Sequence, residues 1–191
     1  FLERVGIPFA SAPGCNAEPV ADWVMGVVAD AARRGALRLP GARCVVVGCG
    51  EVGGRVARRL EALGCELRCV DPPRRRRGLP LPGLAAALGD VLDADLLTFH
   101  VPLTETGPDA TRHLLDAAAI AALRPGAVVV NAARGGVLDD AALLARMTAR
   151  GDLHLALDVY ADEPAPAPAL LAHCRIATPH VAGHSLDGKL R

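Results

Sequence analysis

VVVGCGEVGGRVARRLEALG, residues 45–64, is the stretch on which the reading of this 191-residue chain turns. It opens on a β-branched run and passes through glycines spaced G-x-G-x-x-G at Gly48, Gly50 and Gly53. It leaves with Val52, Val56, Leu60 and Leu63 at helical spacing. Glycines so spaced admit a pyrophosphate against backbone N–H groups at a helix N-terminus. The spacing alone also serves flavins, S-adenosylmethionine, or no ligand. A strand before it and a helix after it favour a dinucleotide.

Outward from this unit the apolar pattern alternates between short β-rich runs and longer helical stretches. Runs 44–48, 66–70, 95–99, 127–131, 153–158 and 174–178 read as six strands, with helix candidates between most of them. Ala142, Leu143, Leu144 and Met147 mark one such helix after the fourth run. Ahead of the first, residues 18–34 read as a long helix with Trp23, Met25, Val27 and Val28 as apolar positions. Residues 74–83, RRRRGLPLPG, read as a basic, proline-broken loop. A repeating strand–helix pattern implies an α/β fold, a Rossmann-type doubly wound parallel sheet with helices on both faces. Residues 17–183 are expected to form it, with 1–16 and 184–191 as edges of a substrate domain mostly absent from this chain. The start at Phe1 and the close in GKLR give the expectation of a fragment.

Composition agrees with that fold class. Apolar residues make up 51%, charged residues 22% and aromatics 3%, so the core is to be built from Ala, Val, Leu and Ile. A formal net charge of zero argues against general attraction to nucleic acid or anionic membranes and points to a small-molecule partner. Six cysteines lie mostly in apolar segments without a CxxC pair. They read as buried, reduced thiols rather than metal ligands or disulfides, in a reducing compartment. No metal site is expected. No run approaches the roughly 20 apolar residues of a membrane span, and the first residues resemble no signal peptide. The chain reads as soluble and cytoplasmic.

The second strand ends in Asp71, where a carboxylate can accept hydrogen bonds from adenosine ribose hydroxyls and would repel a 2′-phosphate. That favours NAD over NADP. Arg74 to Arg77 stand nearby, either as a phosphate-holding cluster or as a solvated loop, the latter preferred.

Ligands of open parallel sheets sit beyond the carboxyl ends of the strands. The third strand is followed there by HVPLTETG (100–107), a loop able to lie over the cofactor. The fourth is followed by Arg134 beside two flexible glycines. The fifth runs through Asp158 to Glu163, and the sixth leads to His180. Singly, each of Arg134, Glu163 and His180 is also an ordinary loop residue. At one sheet edge the three suit hydride transfer from a 2-hydroxy acid. Histidine, with an unperturbed pKa of about 6.5, takes the hydroxyl proton. A carboxylate orients its ring and favours the imidazolium. Arginine binds the substrate carboxylate in two-point fashion, and NAD takes the hydride. His184 reads as a second contact to the substrate or as a surface residue.

Arg134 in NAARGGVLDD, Glu163 in DVYADEP and His180 in TPHVAG resemble the Arg, Glu and His of the D-2-hydroxyacid dehydrogenase superfamily. APGCNAEPVAD (12–22), DPPRRRRG (71–78), TFHVPLTETGPDATRHL (98–114) and HSLDGK (184–189) are similar to its branch acting on 4-phosphoerythronate. That resemblance implies oxidation of 4-phospho-D-erythronate to 2-oxo-3-hydroxy-4-phosphobutanoate in pyridoxal 5′-phosphate biosynthesis. It implies NAD contacts at Asp71, Val101, Ala132, Ala133, Arg134, Asp158 and Gly183, beside those of Gly48, Gly50, Val52 and Gly53. It implies substrate contacts at Arg134 and His184, the latter standing where the branch usually has tyrosine, and a homodimer when full-length. It further implies that these residues alone bind NAD but turn over slowly or not at all. Phosphoglycerate dehydrogenases, hydroxypyruvate or glyoxylate reductases, and NAD-sensing corepressors on the same fold are the alternatives.

Overall fold

The computed structural model describes residues 3–8 and 12–186. The last residues of HSLDGK and of the expected 184–191 edge, and positions 1, 2 and 9–11 of the 1–16 edge, lie outside the described residues.

Seven parallel strands form one sheet: β1 (Arg43–Val47), β2 (Glu66–Val70), β3 (Leu84–Ala85), β4 (Leu96–Phe99), β5 (Val128–Asn131), β6 (His154–Leu157) and β7 (Cys174–Ala177). Their order across the sheet is β3-β2-β1-β4-β5-β6-β7, and every pairing is parallel. The central strands β1, β4 and β5 are buried throughout except for Arg43 and are mostly apolar, with Thr98 and Asn131 as buried polar exceptions, because helices cover both of their faces. The six expected strands are present with bounds moved by a residue. β3 is a seventh that two residues are too few to announce.

Among the described residues six α-helices connect the strands, α1 (Ala17–Arg33), α2 (Glu51–Ala62), α3 (Pro72–Arg76), α4 (Ala117–Ala122), α5 (Asp140–Ala149) and α6 (Pro168–His173), and all but the short α3 bury residues against the rest of the fold. One face of the sheet packs α1 and α2 over Cys44, Val46, Leu96, Val128 and Val130. The other packs α4, α5 and α6 over Phe99, Val129, Leu155 and Leu157. In α1 the buried stripe is Val20, Ala21, Val24, Val27, Val28 and Ala31, whose spacing is that of one helical face. Trp23 and Met25 lie on its margin and are half-buried. In α2, Val56 and Leu60 are buried, whereas Leu63 stands exposed just past the last turn. None of the helices among the described residues is long and apolar enough to cross a membrane.

Two expectations need correction. Part of the basic segment 74–83 is not loop. Pro72 opens α3 with φ already fixed for a helix, and the Asp71 carboxylate caps it by accepting the Arg74 N–H at 2.9 Å. Arg75, Arg76 and Arg77 are exposed, as a solvated segment requires, but two of the arginines also have partners within the chain. Arg74 Nε donates to the Pro80 carbonyl at 2.7 Å and Arg76 pairs with Asp109. The cysteines are all unpaired, but only Cys44, Cys49 and Cys69 are buried, while Cys15, Cys65 and Cys174 are half-buried.

Candidate active site

With all strands parallel, their carboxyl ends share one edge. The loops leaving that edge wall a cavity of about 530 Å³. Of the residues singled out in the sequence, Val52, Val101, Ala132, Ala133, Arg134, Asp158, His180, Gly183 and His184 line it. His100 and Pro102, from the loop expected to lie over the cofactor, line it too, as do Asn16 and Val20, which were not expected there. Asn16 immediately precedes α1, and a Cβ on Gly183 would come within 2.9 Å of its Nδ2. Gly183 is thus where the segment after β7 approaches the N-terminus of α1.

The three motif glycines do separate work. Gly48 has φ +86°, and a Cβ there would sit 2.7 Å from the His100 carbonyl oxygen. A Cβ on Gly53 would lie 1.8 Å from the Gly48 carbonyl oxygen, so this glycine lets α2 press against the turn. Around Gly50 the space for a side chain is open. Gly50 is also the N-cap of α2 and supplies no capping side chain, so the first-turn N–H groups are left for an anion. This cradle fits the pyrophosphate of a dinucleotide. Asp71 stands at its side, where Oδ2 accepts the Cys49 N–H at 2.8 Å and ties the glycine loop to the end of β2.

Beyond β6 and β7 the structure brings Glu163 and His180 together. His180 Nδ1 and Glu163 Oε2 are 2.8 Å apart. An ionised carboxylate only accepts, so the proton of this contact lies on Nδ1, and a neutral ring has Nε2 free as a base. The second oxygen of Glu163 accepts the Tyr160 N–H at 2.9 Å. Partial burial works to raise the Glu163 pKa. The hydrogen bonds from His180 and Tyr160, with the charges of His180 and Arg134, outweigh it and hold the carboxyl below its usual range.

His180 has φ +56°, a left-handed conformation that costs a non-glycine residue free energy unless its surroundings impose it. Asp158 imposes it. One oxygen of its buried carboxylate accepts from Thr178 Oγ1 at 2.5 Å and Val181 N at 2.8 Å, the other from Ala182 N at 2.9 Å. The Asp158 carbonyl oxygen takes the His180 N–H at 2.8 Å. Asp158, expected as a cofactor contact, lines the cavity and also clamps the turn that carries the imidazole.

Arg134 is held by its backbone. Asn131, unnoticed in the sequence, accepts the Ala133 N–H at 3.1 Å and donates from Nδ2 to the Arg134 carbonyl at 3.0 Å. The guanidinium is exposed at the cavity wall, with Nη1 donating to the Ala133 carbonyl at 2.6 Å. Of the two glycines after it, Gly135 is not a flexible joint. A Cβ there would lie 1.7 Å from the Tyr160 carbonyl oxygen, so the loop after β5 and the loop after β6 are in backbone contact.

Tyr160 joins these loops and is the only tyrosine of the chain. Its hydroxyl donates to the Leu157 carbonyl at 2.9 Å, with the Thr178 carbonyl at 3.3 Å. Burial, more than the nearby negative charges, pushes its pKa up to about 12. Phenolate absorbance on titration with alkali is therefore expected to reach its midpoint near pH 12, above the ordinary value of about 10. A folded-state pKa above the unfolded one contributes stability that is fully present below pH ~10 and lost as pH rises toward 12. A midpoint near the free-phenol value in the folded protein would refute this burial.

The model of the family described as "D-isomer specific 2-hydroxyacid dehydrogenase, NAD binding domain" matches residues 19–182. The chain belongs to the D-isomer specific 2-hydroxyacid dehydrogenase family. It is the NAD binding domain of that family, and its sheet is the Rossmann-type sheet expected from the glycine loop. It is 48% identical to an erythronate-4-phosphate dehydrogenase of Aeromonas hydrophila, with 100% of this chain and 51% of the relative covered. It is 48% identical to the enzyme of that name from Salinibacter ruber, covering 100% of this chain and 50% of the relative. The chain spans about half the length of the curated relatives it matches. A solved structure, the NADPH-dependent glyoxylate/hydroxypyruvate reductase of Sinorhizobium meliloti in complex with NADP and malonate, superposes with a TM-score of 0.79 at 27% identity. That superposition covers 98% of this chain and 64% of the other.

Proposed function

We propose that this domain serves an NAD-dependent oxidation of 4-phospho-D-erythronate to 2-oxo-3-hydroxy-4-phosphobutanoate, a step toward pyridoxal 5′-phosphate. The observation that carries the reading is that His180, whose Nδ1 lies 2.8 Å from Glu163 Oε2, stands on the wall of the cavity that Arg134 also lines. Identity of 48% to relatives named for erythronate 4-phosphate supports this substrate over glyoxylate or hydroxypyruvate.

In the proposed reaction His180 Nε2 removes the proton of the C2 hydroxyl. Glu163, ionised and fixed by the Tyr160 N–H, keeps the other ring nitrogen protonated and stabilises the imidazolium that forms. Arg134 binds the substrate carboxylate and polarises the developing carbonyl. Bound in the cleft, NAD supplies the hydride acceptor. His184, at the mouth of the cavity, donates a hydrogen bond to the substrate phosphate. Gly48, Gly50 and Gly53 with the first turn of α2 hold the pyrophosphate, and Asp71 faces the adenosine ribose. Asp71 supports NAD over NADP by repelling a 2′-phosphate. The reading extends to a homodimer in the cytoplasm, the compartment supported by six unpaired cysteines.

The test sets 4-phosphoerythronate beside 3-phosphoglycerate with NAD or NADP, and glyoxylate and hydroxypyruvate with NADH or NADPH, using the full-length gene product. The expected result is a clear kcat/KM preference for 4-phosphoerythronate with NAD. A preference for 3-phosphoglycerate, or tighter binding of NADPH than of NADH, would overturn the assignment. The 191 residues alone are expected to bind NADH yet turn over slowly or not at all.

A further inference from the structure

Among the described residues two buried side-chain nitrogens have no hydrogen-bond partner, Arg59 Nη1 and His100 Nδ1. The first is compensated, because it lies 2.9 Å from Asp22 Oδ1 in an ion pair. The second is not. His100 directly follows β4, lines the dinucleotide cleft, and presents its carbonyl to the first glycine of the phosphate loop.

The proton on this ring can be assigned from its neighbour. His100 Nε2 lies 2.9 Å from Thr98 Oγ1, and Thr98 is fully buried with no other side-chain hydrogen bond. A hydroxyl carries one proton, and burying it without an acceptor costs as much as losing a hydrogen bond. Thr98 therefore donates and Nε2 accepts. Burial also disfavours the imidazolium, pushing the His100 pKa down to about 3, so the ring is neutral. A neutral imidazole that accepts at Nε2 carries its proton on Nδ1. His100 thus holds a buried donor with no acceptor among the described residues.

We propose that His100 is a cofactor-binding residue whose Nδ1–H, set by Thr98, donates to an oxygen of the bound nicotinamide dinucleotide. This rests on the dinucleotide reading of the cleft. Nδ1 is covered in the present ring position, and the proposal requires the ring to turn it to the cleft that His100 lines. A neutral donor would add no positive charge to a cleft that takes a dinucleotide whose oxidised nicotinamide is cationic.

The experiment is ¹⁵N NMR of the histidine-labelled chain titrated with NADH, together with equilibrium NADH binding by H100F and H100Q, each checked for an unchanged melting temperature. The expected spectrum shows the Nδ1–H form of His100, with its Nδ1 resonance shifting as NADH is added. The dissociation constant is expected to rise roughly tenfold in H100F, the factor that one net hydrogen bond corresponds to, and to recover in part in H100Q, whose amide can donate. An Nε2–H ring, or an Nδ1 resonance that ignores NADH, overturns the proposal even if neither variant folds. So does an unchanged constant in a folded H100F. In each of those cases wild-type binding of NADH leaves the dinucleotide reading standing. No NADH binding by the wild type overturns both.

Discussion

Replacing His180 with asparagine in the full-length gene product is expected to lower kcat by about 10²- to 10⁴-fold, the usual worth of a positioned general base, while NADH binding stays nearly unchanged. The split follows from the geometry. Nδ1 is committed to Glu163 at 2.8 Å, so what the ring offers the cleft is Nε2 alone, and asparagine offers an amide that cannot take a proton there. Asparagine is also, glycine aside, among the residues best suited to the left-handed backbone at φ +56°, so the turn held by Asp158 survives the exchange. Alanine would confound lost chemistry with backbone strain. Glu163→Gln is expected to cost less, because its amide oxygen still accepts from Nδ1 while the charge that stabilises the imidazolium is gone. A His180→Asn enzyme with near-normal kcat would remove the base from the proposed mechanism. A large rise in the NADH dissociation constant would reassign His180 to cofactor binding, and a corepressor-like sensor would keep its function.

What the sequence disclosed and what it withheld divide along a physical line. The fold was legible because β1, β4 and β5 are buried on both faces over nearly their whole length, which favours short runs dominated by Val and Leu, as at residues 45–47, 96–97 and 128–130. The site was legible at low resolution because a parallel sheet puts every strand's carboxyl end at one edge, so residues just past the runs had to meet. That rule alone brought Arg134 and His180 to one cavity wall and Glu163 behind the imidazole. Nothing in the sequence signals what depends on distances across loops. The three hydrogen bonds that make Asp158 a clamp, the turn fixed by Asn131 and the orphaned Nδ1 of His100 require knowing which backbone faces which side chain. Asn16 did carry a signal, a helix-capping residue type just before a long apolar periodicity. Its use proved different, since it makes no side-chain cap and faces the cavity instead.

Gly135 shows how far such distances reach. A methyl group at this position would stand 1.7 Å from the Tyr160 carbonyl oxygen, 2.2 Å from its carbonyl carbon and 2.8 Å from the Ala161 nitrogen, all backbone atoms that cannot swing aside. Gly135→Ala must therefore push the loop after β5 away from the loop after β6. Overpacking usually costs 1–3 kcal/mol, and against backbone the upper end is expected, about 3 kcal/mol. For a chain of this size that lowers the melting temperature by roughly 6–12 °C. The same displacement reaches the chemistry, because the Tyr160 N–H holds Glu163 and Glu163 holds His180. Turnover is thus expected to fall even below the melting transition. Gly136→Ala is the informative contrast. It meets only side-chain ends, that of Arg112 at 3.1 Å and that of Leu103 at an ordinary 3.7 Å, and pays chiefly for φ +77°, about 1–2 kcal/mol, with no push on Tyr160. Gly135→Ala should lose both stability and kcat, and Gly136→Ala mainly stability. Equal kcat in the two variants, or a Gly135→Ala chain that melts like the wild type, would mean that the two loops do not meet as described.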